Sequence, residues 1–173
     1  MKKTLYSAVG ALSILSLLLM PCAIALADNT VSATVQVKTI SVSVTDGSVS
    51  YGVLAASATQ DTLVTGVNDP QTATNDGNVN EDFTISGDDT TGCVWALDTT
   101  QDADQYYHKF SVNAGSSWTP LTTTLGTPDE IALASDIAPV SDEVFDLKIG
   151  VPSSSTCSTT ATSVITVTAS EHS

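Results

Sequence analysis

The sequence contains no arginine, and its five basic residues are all lysines, against 19 aspartates and glutamates. Two of these lysines lie at the extreme N-terminus, so Lys38, Lys109 and Lys148 are the only lysines in the rest of the chain. At a formal net charge of −14, the protein repels phosphate backbones and anionic lipid headgroups. The charge therefore argues against nucleic-acid binding and against binding to a membrane surface.

Histidine is almost as scarce, because only His108 and His172 occur. The sequence also lacks the H-E-x-x-H, G-x-S-x-G and P-loop motifs that mark common catalytic sites. His108 lies in an alternating, strand-like segment, and His172 lies in a C-terminal tail that we expect to fray. The adjacent acids Asp142 and Glu143 would point to opposite faces of a strand. The sequence thus predicts a non-enzymatic protein without a cofactor.

The N-terminus has the pattern of an export signal. Two lysines precede an uncharged, strongly apolar stretch, residues 4–27, and Ala25-Leu26-Ala27 places small residues at the −3 and −1 positions of a signal peptidase site. We therefore predict a signal peptide over residues 1–27, forming a signal helix, and secretion of the product that begins at Asp28. An uncleaved membrane anchor and lipidation of Cys22 are the alternatives.

Residues 28–173 have a usual size for one domain, and their apolar residues recur with a period of two. Clusters of Gly, Asn, Asp, Pro and Ser interrupt this pattern about every ten residues. Serine and threonine are abundant, and threonine suits a pleated, half-solvated strand. The pattern predicts an all-β fold, a two-sheet antiparallel β-sandwich that is immunoglobulin-like or a jelly-roll.

The first part of this domain has an unusual change of phase. Alternating apolar residues predict a strand over 31–37, and the pattern then shifts at Lys38-Thr39 before it resumes over 40–44. Asp46-Gly47 predicts a hairpin into a further strand over 49–53. Because the phase change separates the first strand from the rest, this strand could add to the sheet of a neighbouring copy. This predicts a fibre subunit whose partner is the protein itself.

Further strands follow from the same alternation. Those predicted are Val79–Ile85, Cys93–Leu97, Tyr106–Val112, Trp118–Leu121, Ile131–Leu133, Phe145–Val151 and Ile165–Ala169. The segment Cys93–Leu97 is apolar on both faces, which predicts a central strand covered on both sides. Residues 63–67 are a weaker candidate for an edge strand.

Two cysteines, Cys93 and Cys157, remain after the predicted cleavage site. An even number of cysteines in an exported chain predicts a disulfide. The alternative is a pair of free, buried thiols.

Residues 111–118 resemble an Asp-box hairpin, S-x-D-x-G-x-T-W, in which Asn113 replaces the aspartate. The resemblance implies that Ser111 begins a turn in which Asn113 caps the loop amides, Gly115 takes a positive φ and Trp118 packs under the turn. In the families that carry this motif, including sialidase-like propellers, it is a structural turn remote from catalysis. A single copy therefore implies a hairpin, not a glycosidase.

Trp95-Ala96-Leu97 resembles the first W-x-L element of the WxL cell-surface domains of Gram-positive bacteria, which are secreted β-proteins that attach to the wall. The similarity covers this tripeptide and the alternating strands ahead of it. The last predicted strand, Ser163–Thr168, lacks the second tryptophan of such domains. The export signal, the acidity and the threonine-rich strands together predict a structural or adhesive protein at the cell surface.

A carbohydrate-binding module is the alternative function, with cell-surface glycans as partners. Tyr106, Tyr107 and Trp118 would then supply the aromatic faces on which sugar rings stack.

Such a module could be assisted by calcium. Asp98, Asp102 and Asp104 lie in one predicted loop, and loop carboxylates are the ligands that calcium prefers. Their spacing matches no EF-hand, so ordinary solvated loop acids are the alternative.

Overall fold

The computed structural model describes residues 31–64, 67, 69–122 and 130–173, and within them the backbone forms ten β-strands and no helix. The predicted signal peptide and its cleavage site lie outside the described residues. None of the described segments is a helix that could cross a membrane.

The ten strands vary from two to nine residues in length. They are β1 Val42–Thr45, β2 Thr59–Asp61, β3 Gln71–Asn75, β4 Glu81–Gly87, β5 Ala96–Leu97, β6 Gln105–Ser111, β7 Thr119–Pro120, β8 Ile131–Ile137, β9 Asp142–Gly150 and β10 Ile165–Glu171.

These strands form two sheets of unequal size. The larger sheet has the order β1-β3-β9-β6-β5, with β2 pairing with β9 and β7 with β6, and the smaller sheet has the order β10-β4-β8. All of these pairs are antiparallel except β5 with β6. The predicted two-sheet β-sandwich is therefore confirmed.

The core lies between β4 of the smaller sheet and β6 and β9 of the larger one. Phe83 and Ile85 face Phe110, Phe145 and Leu147, and all five side chains are buried. Burying a side chain of this size contributes roughly 1.5–3 kcal/mol. The two-residue alternation that predicted these three strands is confirmed by this burial.

The strand predicted over residues 31–37 is absent, because none of the described residues before Val42, residues 31–41, is in a strand. Val31 is 93% exposed and Val35 is 95% exposed. A strand needs a neighbouring edge to satisfy its backbone N–H and C=O groups. The alternation of apolar and polar residues makes this segment suited to a strand, but a strand forms only where a neighbouring sheet edge is available to pair with it.

The hairpin predicted at Asp46-Gly47 is also wrong. Both residues have the positive φ expected of such a turn, 72° and 65°, yet residues 46–58 form no strand. The strand β1 pairs with β3 instead, and the amide of Gly47 donates to Oε1 of Gln71 in that strand. The segment after the turn is a loop in which Val49 packs against the core.

Two further predicted strands need correction. The segment Cys93–Leu97 is not a central strand: only Ala96–Leu97 pairs, at an edge of the larger sheet, and Val94 is exposed. The hydroxyl of Thr90 accepts from the amide of Trp95 and donates to the carbonyl of Cys93, so a side chain replaces the bonds of a sheet. The edge strand predicted over 63–67 is not found at Leu63, Val64 or Val67, and residues 65 and 66 lie outside the described residues. The strand in this region is β2, which ends two residues earlier, at Asp61.

One end of the sandwich is closed by Asn75, which is fully buried. Its side-chain amide donates to the carbonyls of Val79 and Ile137, at 2.8 Å each, and its Oδ1 accepts from the amide of Gly77. The backbone amide of Asn75 also donates to the carbonyl of Ser141. One residue thus joins the β3–β4 and β8–β9 connections, both of which cross between the sheets.

His108 is buried on the inner side of β6. Its ring lies 5.7 Å from the ring of Tyr106 and 5.7 Å from the ring of Tyr51, and neither ring nitrogen has a hydrogen-bond partner among the described residues. Burial lowers the pKa of His108 to about 4, because the charged imidazolium would lose its hydration.

The depressed pKa of His108 predicts an acid-sensitive stability. Between about pH 6.5 and pH 4 the unfolded chain binds a proton that the folded chain does not, so the free energy of unfolding falls as the pH falls, by up to about 3 kcal/mol. We expect His108→Phe to lose this component. Urea unfolding of both proteins at pH 7 and pH 4.5 measures it, and His172→Gln, which removes only the opposite contribution of the other histidine, should keep this acid sensitivity. Equal pH sensitivity of wild type and His108→Phe would contradict it.

Candidate functional site

The hairpin between β6 and β7 is built around the motif at residues 111–118. Oδ1 of Asn113 accepts from the amide of Ser117 at 2.9 Å, and Oγ of Ser111 accepts from the amide of Gly115 at 2.9 Å. Gly115 has a φ of 76°. A Cβ on Gly115 would lie 3.3 Å from Cζ2 of Trp118, so the turn rests on that indole. The hairpin is a rigid support for Trp118.

The outer face of the larger sheet carries two lysines side by side. Lys109 of β6 lies directly opposite Lys148 of β9. The ammonium of Lys109 is 4.4 Å from the centre of the Tyr107 ring, and that of Lys148 is 5.3 Å from the ring of Trp118. Lys148 is also 3.9 Å from Asp61. We call Tyr107, Lys109, Trp118 and Lys148 the lysine–aromatic patch.

The three aromatic residues proposed for sugar stacking do not lie together. Tyr107 and Trp118 are half-exposed in the lysine–aromatic patch, whereas Tyr106 points into the core and is fully buried. The Tyr106 hydroxyl donates to the carbonyl of Asp88 and lies 2.7 Å from Oγ of Ser163, and burial raises its pKa to about 12. Tyr106 therefore offers no face to a ligand.

The predicted disulfide between Cys93 and Cys157 is confirmed. Their Cα atoms are 5.6 Å apart, and the bond joins the loop after β4 to the loop before β10. Trp95 lies in the same region, half-buried, where its indole N–H donates to the hydroxyl of Ser155 at 3.0 Å. The indole of Trp95 also packs against the buried ring of Tyr106, with the ring centres 6.4 Å apart.

The three aspartates proposed for calcium do not converge. Oδ1 of Asp98 accepts from the amide of Thr99, Oδ1 of Asp102 accepts from the amide of Ala103, and Asp104 accepts from the hydroxyl of Ser155. Each carboxylate therefore holds its own part of the loop. In the part of the chain that the structure describes, no group of three or more acidic, histidine or cysteine side chains is suited to hold a metal ion.

A polar cluster that the sequence did not reveal lies at the end of the smaller sheet. His172 is not in a frayed tail: its amide donates to the carbonyl of Asn80, and its Nδ1 is 2.8 Å from Oδ1 of Asp82. Asp136 lies on the other side of the ring, 3.8 Å from Nε2. Both side chains of the His172–Asp82 contact are partly exposed, so the cluster holds the end of β10 at the surface.

The charges of this cluster shift each other's proton affinities. Hydrogen bonds from the Ser135 hydroxyl, the Asp136 amide and His172 lower the pKa of Asp82 to about 2. The hydrogen bond to Asp82 raises the pKa of His172. Asp82 lies in β4 and Asp136 in the neighbouring strand β8, so the two acids meet at His172 only because these strands pair. Sequence periodicity does not predict which acids a histidine after the last strand will contact.

Comparisons with protein-family models, with curated proteins and with solved structures find no match for this chain.

We expect the pKa values of the two histidines to be shifted in opposite directions. His172 should hold its proton above its ordinary pKa of 6.5, because Asp82 stabilises the imidazolium, whereas His108 should remain neutral well below that pH. Asp82→Asn should return the pKa of His172 towards 6.5. Proton NMR titration of the imidazole resonances measures both. The contribution of His172 to stability is present at low pH and is lost as the pH rises through its folded-state pKa. An unchanged His172 pKa in Asp82→Asn would contradict the assignment.

Proposed function

We propose that this protein is a secreted, non-enzymatic structural or adhesive protein of the cell surface, and that its copies assemble into fibres by strand addition through residues 31–37. One observation carries the proposal. Val31, Val35 and Val37 occupy alternate positions and are 93%, 95% and 81% exposed. We call residues 31–37 the donor segment.

The physical reason for assembly is the free energy that the donor segment gains on pairing. Its valines lie on one side of an extended chain, so a neighbouring sheet can bury them together, each for roughly 1.5–3 kcal/mol. An added strand also satisfies the backbone N–H and C=O groups along its length. Seven residues span about 23 Å at the strand rise, which is ample for such a contact.

The export that the proposal requires is supported by the covalent structure. A disulfide persists in oxidising compartments and is rare in the cytosol. The Cys93–Cys157 bond therefore fits a protein that leaves the cell, as does the apolar N-terminal stretch followed by small residues.

The absence of catalysis is supported by the placement of the two histidines. His108 is buried against Tyr51 and Tyr106 with no polar partner among the described residues. His172 is engaged by Asp82 at the surface. The hydroxyl of Ser135 bonds the same oxygen of Asp82 as His172 does. Among the described residues, however, no hydrogen bond joins that hydroxyl to the imidazole, as activation of a nucleophile by a base requires.

We expect the chain from Asp28 onward to form assemblies that grow with concentration. Val35→Asp should reduce them at least tenfold, because it places a charge in the middle of the apolar side of the donor segment. Val53→Asp is the matched control: Val53 is 103% exposed in a loop, so the charge added is the same and assembly should not change. Light scattering after size exclusion measures the mass, and electron microscopy shows fibres.

A strictly monomeric, fibre-free product at high concentration would refute this function. Equal loss of assembly in Val35→Asp and Val53→Asp would also count against it, since added negative charge alone would then explain the effect.

The carbohydrate-binding alternative is favoured by the lysine–aromatic patch. Like charges directly opposite on neighbouring strands are unfavourable, yet two of the three lysines outside the N-terminus face each other as Lys109 and Lys148. A carboxylate between them would reduce the repulsion, and the rings of Tyr107 and Trp118 lie beside the two ammonium groups, where a bound sugar ring would contact their edges. The ligand that fits this chemistry is a short acidic saccharide.

If the patch binds such a ligand, calorimetry should detect digalacturonate but not the neutral disaccharide lactose. A Lys109→Gln/Lys148→Gln variant should weaken binding at least tenfold, since both cations are lost. Lys38→Gln removes one charge at a distant ion pair with Glu171 and should bind as the wild type does. Equal affinity for neutral and acidic sugars, or no binding of either, would eliminate this function.

A further inference from the structure

The strands at the margins of the two sheets differ in how well they could accept another strand. At the margins of the larger sheet, β2, β5 and β7 are only two or three residues long and β1 has four. An added strand gains little from so short an edge, because its backbone bonds end after one or two pairs. The smaller sheet has two long edges, β8 and β10.

The edge of β8 is irregular. Its register with β4 shifts twice, around Phe83, and Asp136 has a φ of 59°. Bulges and inward or kinked residues are the features by which proteins prevent a sheet edge from pairing. The β8 edge is therefore protected.

The edge of β10 carries no such protection. Its seven residues pair with β4 in one continuous register from Ile165↔Gly87 to Glu171↔Glu81, without a shift and without a proline. Its one charged residue, Glu171, lies at the end. No other strand pairs with β10 in the described part of the chain. A long, regular, uncharged edge is a template for another strand.

Apolar side chains beside this edge are incompletely covered. Val167 and Ile165 face the core but are only partly buried. Across from them, Val44 of β1 pairs with the buried Ala73, so it too is on the inner face of its sheet, yet it is 36% exposed. β10 is the last strand of the smaller sheet on this side, where it contacts β1. A fourth strand beside β10 would extend it over this flank.

We infer that the acceptor for the donor segment is the β10 edge of a second copy of this chain. The inference rests on the proposed function and names its partner surface. Donor segment and β10 are both seven residues long, and each presents apolar side chains on one face and Ser, Thr or Gln on the other along most of its length. No residue of the donor segment is in a strand, so its backbone groups can pair with a second copy.

Cysteine cross-linking tests this assignment. Thr34 is the centre of the donor segment and Thr168 is the exposed centre of β10, so the two centres meet whether the strands run parallel or antiparallel. Mixing the chain from Asp28 onward that carries Thr34→Cys with the same chain carrying Thr168→Cys, under mild oxidation, should give a covalent dimer. Ala132→Cys, at an exposed position of β8, is the matched control and should give several-fold less.

The outcomes separate the inference from the function on which it rests. Assembly with cross-links to Ala132→Cys, or to Ser43→Cys on β1, in place of Thr168→Cys would overturn the acceptor and leave strand addition intact. A doubly substituted Thr34→Cys/Thr168→Cys chain that cross-links within itself and migrates as a monomer would also overturn it. No assembly and no cross-link of any pair would refute the inference and the fibre function together.

Discussion

The fold depends on the buried polar junction around Asn75. Both sheets are held at this end by one side chain, because its amide bonds the carbonyls of Val79 and Ile137 on the two connections that cross between them. Leaving a buried amide or carbonyl without a partner costs about 1–3 kcal/mol. Moving the side chain of Asn75 would break several of these hydrogen bonds at once, so the conformation of this junction is strongly favoured. Gly77 is part of the same constraint, since any side chain there would collide with the carboxylate of Glu81 and the carbonyl of Thr39.

The same junction also holds the chain between the end of the donor segment and the start of β1. Asn78, three residues after Asn75, donates its amide to the carbonyl of Val37 and accepts from the amide of Thr39. Glu81 then accepts from the amide of Ser41, just before β1 begins. The chain is thus held from Val37 onward by polar side chains of one turn.

Sequence periodicity predicted the long strands because their packing is decided by side chains that alternate along the strand itself. In β4, β6 and β9, the large apolar residues Phe83, Ile85, Phe110, Phe145 and Leu147 are buried, and the same parity places Tyr106 inside and Tyr107 outside. The short and missing strands were not predictable in this way. Whether Cys93–Leu97 forms a strand depends on the hydroxyl of Thr90, a contact that hydrophobic alternation does not record.

The candidate functional residues also divide into those that the local sequence predicts and those that depend on which strands become neighbours. The Cys93–Cys157 pair and the hairpin around Asn113 follow from residue counts and from a local motif, because their partners are fixed by chemistry or lie within a few residues. The lysine–aromatic patch and the clamp of His172 depend on which strands become neighbours, and no spacing in the sequence places Lys109 opposite Lys148. Contacts distant in sequence require the topology first.

The proposed strand addition must also be compatible with the charge of the protein, since copies of the chain from Asp28 onward, with three lysines against 19 acidic residues, repel one another. Charges at exposed sites act over about 8 Å at physiological ionic strength, so what matters is which acids a contact brings together. The donor segment has no charged residue, and β10 has only Glu171, which is already paired with Lys38. The two surfaces can therefore meet without opposing carboxylates, while the acidic loops elsewhere keep unrelated faces apart. Net repulsion then favours this one contact over unspecific association.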